Sequence, residues 1–186
     1  MKKQVFKLKP LSKDGVESAL TKAEHYRLLN SPKLAESICL DILEVDKDNQ
    51  KARIVLLLAL TDQFGQSTMT VAKEAQDMAL SLQDDYTRFY YTGIIHERQG
   101  NVALSSAVHG SDFDAYEWYL EAMDYYEKAQ ALAPTANNDA ILRWNTCART
   151  IMQFNLEERP SDAPHPILEW LVWYYAAAQI FDHITQ

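Results

Sequence analysis

Five histidines and two cysteines are the side chains in this sequence best suited to metal or nucleophilic chemistry, and their spacing supports neither. A metal-binding pair on one helix needs a His-x3-His step that turns both rings toward one ion, and His25, His96, His109, His165 and His183 never come that close in sequence. Each reads as a packed or surface imidazole. Cys39 and Cys147 fall far apart within helical patterns, which suits reduced core thiols and a cytoplasmic setting better than a disulfide framework. There is no glycine-rich phosphate loop, Ser-centred elbow or Cys-His nucleophile signature. Asp84 with Asp85, Glu157 with Glu158, and Asp112 with Asp114 have oxygens enough to hold a cation, but helix capping and solvation explain them more simply. The expectation is a protein that is not an enzyme, with no catalytic residues, metal or cofactor.

Aromatic residues offer a different chemistry, that of contact. Phe113, Tyr116, Trp118, Tyr119, Tyr125 and Tyr126 crowd one stretch and adjoin Tyr86, Phe89, Tyr90 and Tyr91 from the preceding segment. Rigid aromatic side chains are frequent anchors of protein interfaces and equally frequent core residues. Composition narrows the setting: 186 residues with 47% apolar content and five glycines suit one packed helical domain. The formal charge of −8 excludes a nucleic-acid face outside the first residues, where Lys2, Lys3, Lys7, Lys9 and Lys13 stand against Asp14 alone. Those lysines also interrupt any apolar run of the kind a signal peptide needs.

Residues 1–13 read as a basic arm, followed by helical repeats over 14–156 and by a proline-containing linker with an apolar helix over 157–186. Asp14 with Glu17 has the spacing of a capping box for a first helix from about Gly15 to Leu29. Asn30-Ser31-Pro32 then turns the chain, with Ser31 as N-cap and Pro32 at N1 of a second helix running to about Val45. Further helices are expected from Gln50, over Thr70–Leu82, from Asp85 to a stop at Gly100-Asn101, and over Asn138–Leu156. A second capping box, Asp114 with Glu117, leaves Val102–Phe113 as an excursion between helices. Ile167–Ile184 is apolar on nearly every face, yet Glu169, Asp182 and its length argue against a membrane span.

Two spacings tie these elements to a known architecture. Phe89-x2-Thr92-Gly93-x2-His96 is followed, after an interruption, by Ala122-x3-Tyr126-x2-Ala129-x4-Pro134, and Leu57 lies 34 residues after Ala23. This order resembles the tetratricopeptide repeat, in which a small residue lets helix A meet helix B and a proline closes the unit. The first pair repeats it as Ala35-x3-Cys39-x2-Ile42, with Lys47 replacing the proline. Gly93 and Ala122 are 29 residues apart where Ala23 and Ala35 are 12 apart, so 17 residues are inserted, at about 102–118. In the fourth helix A, either Trp144 or Ala148 takes the small-residue position.

The resemblance implies an all-α fold, a right-handed superhelix of antiparallel helix pairs with about eight helices. It implies a protein or peptide bound in a concave groove lined by helix A positions, here Leu20, Glu24, Ile54, Leu58, Tyr90 and Ile94. Five of the six are uncharged and lack the lysine and asparagine clamp for a terminal carboxylate. An apolar or amphipathic segment is therefore the expected ligand of an adaptor or chaperone-like scaffold. Tyr116, Trp118 and Tyr119, beside the insertion, join the candidate contacts. The alternative is an assembly subunit, a homodimer for example, that self-associates through the C-terminal helix or the insertion. That helix otherwise caps the repeats, or folds Trp170 and Trp173 into the groove.

Overall fold

The computed structural model describes residues 6–65 and 69–160, and these form seven α-helices with no strand among them. The helices are α1 (Val16–Leu28), α2 (Pro32–Val45), α3 (Gln50–Thr61), α4 (Met69–Leu80), α5 (Asp85–Leu104), α6 (Ser111–Leu132) and α7 (Asp139–Phe154). Consecutive helices pack against one another, most extensively α5 with α6 and least where α4 meets α5. The apolar helix expected over Ile167–Ile184, with Trp170 and Trp173, lies outside the described residues, as does the start of the basic arm.

The first two helices bury the stripes their sequence spacing selects. Ala19, Leu20 and Ala23 of α1 meet Ala35, Cys39 and Ile42 of α2, with Ala23 and Ala35 wholly buried where the backbones approach. Asn30 at φ 55 ends α1 in a left-handed turn, in which Ser31 N–H donates to the Tyr26 carbonyl at 2.9 Å and Asn30 N–H to that of Arg27 at 3.0 Å. This is the double bond of a Schellman cap, with asparagine in the usual glycine place. Pro32 then begins α2 at its first turn. Asn155 at φ 48 ends α7 in the same way, and Leu156 folds back into the core.

Five local expectations fail. Asp14 and Glu17 form no capping box: Lys13–Gly15 is a 3-10 turn and α1 starts without a side-chain cap. Gly100 does not stop α5, which runs four residues further, because its missing side chain makes room for the Tyr119 ring. Asp114 and Glu117 cap nothing. Instead α6 begins at Ser111 behind Gly110 in left-handed conformation, and both acids hold the buried Arg159, far along the chain. The excursion expected over Val102–Phe113 shrinks accordingly to 105–110, because α5 and α6 lengthen to 20 and 22 residues and absorb the rest. On α7, finally, Ala140 and Cys147 are the buried small residues, while Trp144 and Ala148 are half-buried.

Two apolar clusters result. One joins α1 to α4 and the other joins α5 to α7, and the adjacent residues Ile95 and Ile94 of α5 reach one each. Leu58 and Tyr91 touch both. That shared contact couples the two halves.

Candidate functional site

The odd-numbered helices carry three equivalent stripes: Leu20-Glu24-Arg27 on α1, Ile54-Leu58-Asp62 at α3, and Tyr90-Ile94-Arg98 on α5. Spacings of three and four residues put each set on one helix face. An ion triad brings the stripes side by side at one end. Arg27 Nε donates to Asp62 Oδ2 at 2.6 Å, and Arg98 Nη2 lies 3.2 Å from Asp62 Oδ1, so one half-buried carboxylate links α1 and α5 across the end of α3. Asp62 was absent from the sequence-level candidates. It follows Thr61 at the helix end, and only its two partners, 35 and 36 residues away, reveal its role.

Along this face Glu24 is exposed and Ile54, Leu58 and Tyr90 are half-buried. Leu20 and Ile94 are corrected to core positions, because they are 9% and 2% exposed and packed by neighbouring helices. The surface between the arginines and α7 is tyrosine-rich. Tyr90 stacks on Tyr86 at 5.9 Å and meets Tyr91 edge-on at 5.2 Å, and Asn137 fixes the Tyr86 hydroxyl at 2.8 Å. Burial raises the phenols of Tyr86 and Tyr91.

Beneath it lies the most polar part of the core. Glu97 of α5, 5% exposed, accepts from the Tyr126 hydroxyl at 2.6 Å and from Arg143 Nη1 at 3.0 Å, joining α5, α6 and α7. Burial, reinforced by the Glu97 carboxylate, pushes the Tyr126 phenol far up. For Arg143 burial acts against the charge, but Glu97, a hydrogen bond to Tyr90 and the nearby phenols together outweigh it and hold the guanidinium above its ordinary value. Both partners therefore keep their protons, and the network is fully satisfied.

The structure does not bring Tyr116, Trp118 and Tyr119 together as a contact surface. Tyr116 packs on the second core, and Trp118 faces His96 at 5.3 Å, with Tyr125 stacked on the same imidazole at 5.1 Å. Tyr119 is corrected to a core residue, 1% exposed, with its ring against Gly100 and its hydroxyl donating to Asn101 Oδ1 at 2.8 Å. His96 is buried between its aromatic neighbours. Its Nδ1 lies 2.9 Å from Glu121 Oε2, outside hydrogen-bonding geometry.

A second surface was not anticipated. A groove of about 780 Å³ runs between α2 and α4 over α3, with Leu40, Leu43, Leu56, Leu60 and Met78 along it and Glu36, Glu74 and Asp77 at its rim. Leu40 and Leu43 fall outside the Ala35-Cys39-Ile42 stripe of α2, and that leftover apolar pair was its signal in the sequence.

The chain matches none of the known protein-family models, curated proteins or solved structures with which it was compared. Among the described residues, no helix is long and apolar enough to cross a membrane, and no cluster of three His, Cys, Asp or Glu side chains is placed to hold a metal ion.

Proposed function

We propose that this chain is a non-catalytic scaffold of the tetratricopeptide-repeat type, whose helix pairs stack in a right-handed superhelix and whose α1-α3-α5 face binds a protein or peptide segment. The observation that supports this most is the alignment of the three stripes by the Arg27-Asp62-Arg98 triad. The triad ties together the ends of the stripes to which Glu24, Ile54, Leu58 and Tyr90 belong, although these are scattered in sequence. The half-buried Ile54, Leu58 and Tyr90, continued by Tyr86 and Tyr91, favour an apolar or amphipathic ligand. The role is that of an adaptor or chaperone-like protein in the cytoplasm.

Peptides selected from a random displayed library against the intact chain test this reading. Enriched sequences should be apolar or amphipathic, and Ile54→Asp or Glu24→Lys should weaken their binding by roughly tenfold, about 1.4 kcal/mol, with the helical circular-dichroism signal preserved. Binding that survives both substitutions contradicts the proposed face.

A further inference from the structure

The segment Phe6–Leu11 has no helix or turn, and it presents Phe6 and Leu8 to solvent at 74% and 80% exposure. In an extended chain alternate side chains share a side, so Phe6 and Leu8 lie opposite Lys7 and Lys9. Leu11 packs on the first core and roots this arm. Lys13 and Val16, just after it, border Val45 and Asp46 at the C-terminal end of α2.

The α2-α3-α4 groove has the complementary character. Its floor is leucine and methionine, with Glu36 in the second turn of α2, Glu74 midway along α4 and Asp77 in the last turn of α4. At the opposite end Arg53 is already engaged, donating to the Ser81 carbonyl at 2.9 Å and the Lys47 carbonyl at 2.7 Å. Length fits as well. From Glu36 to the end of α2 at Val45 the helix rises about 14 Å, and the four residues 6–9 span about 13 Å when extended.

We infer that this groove takes the Phe6–Leu11 arm of a second copy of this chain, in a reciprocal two-fold exchange. The two apolar side chains enter the groove, and Lys7 and Lys9 meet its acidic rim. The arm's own groove is the poorer host. Its near end carries Lys47 and Arg53, and Pro10 with the packed Leu11 fixes the arm where it leaves the fold. A partner's arm enters from the Glu36 end. Closure by a two-fold axis uses both contacts at once and leaves the α1-α3-α5 face free.

Light scattering on the full chain at high concentration should give twice the chain mass, and deletion of residues 2–10 should halve it. Glu74→Lys with Asp77→Lys, both at exposed positions, should also yield monomers with the helical circular-dichroism signal preserved. A labelled synthetic peptide of residues 1–13 should bind the arm-deleted protein, and roughly tenfold more weakly when both acids are reversed. A dimer indifferent to both changes overturns the exchange. So does a full-length monomer, whether arm deletion then opens the site to the peptide, placing the arm in its own groove, or the peptide fails to bind at all.

Discussion

Glu97 sits among residues that exclude water, and its charge is tolerated because Tyr126 and Arg143 approach it from two other helices. A network of this kind is costly to break, since removing one member strands the rest. The two thiols act in the opposite sense. Cys39 and Cys147 are free and wholly buried, and burial pushes each from an ordinary value of 9.0 up to about 12. The unfolded chain ionises these thiols near pH 9, whereas the folded chain keeps them protonated. Their contribution is therefore complete below pH 9 and lost as the pH rises from there toward 12. Urea midpoints measured upward from about pH 8 should fall past pH 9, and a Cys39→Ala, Cys147→Ala protein should fall less steeply. A flat midpoint to pH 11 would contradict this assignment. That both cysteines are core thiols was legible in the sequence, because each lies on an apolar helical stripe. The role of Glu97 was not, because its partners lie 29 and 46 residues downstream.

At the scale of elements, the long α5-α6 hairpin depends on two absent side chains. A Cβ on Gly93 would stand 2.6 Å from the Tyr126 ring, and one on Gly100 would stand 2.9 Å from the Tyr119 ring. Tyrosine rings fill what the glycines leave empty, seven residues apart on each helix, so the two axes stay close over the added turns. Alanine in place of glycine inside a helix ordinarily stabilises by about 1 kcal/mol. Here Gly100→Ala should instead destabilise by about 1–3 kcal/mol, as overpacked cores do, and a denaturant titration would show it. A stabilised Gly100→Ala protein would mean that the helices separate easily. Helix existence was readable from apolar periodicity throughout the described chain. The ends near the insertion were not, since Gly100-Asn101 and Asp114-x2-Glu117 carry local stop and start patterns while serving distant partners, Tyr119 and Arg159.

Across the whole molecule, two cores are joined through α5 and Leu58, and the arginine triad ties α1, α3 and α5 together. The equivalence of the three stripes could be read from spacing. Their depth could not, since Leu20 and Ile94 occupy the same register as Glu24 and Tyr90 but are covered by helices that no local pattern announces. Binding along this face, rather than in the α2-α4 groove, is the central claim. Hydrogen exchange followed by mass spectrometry, with and without a selected peptide, tests it most directly. Added protection should concentrate in α3 and in the first half of α5, with a smaller effect over Glu24–Arg27. Protection confined to α2 and α4, or none despite saturating peptide, would contradict it.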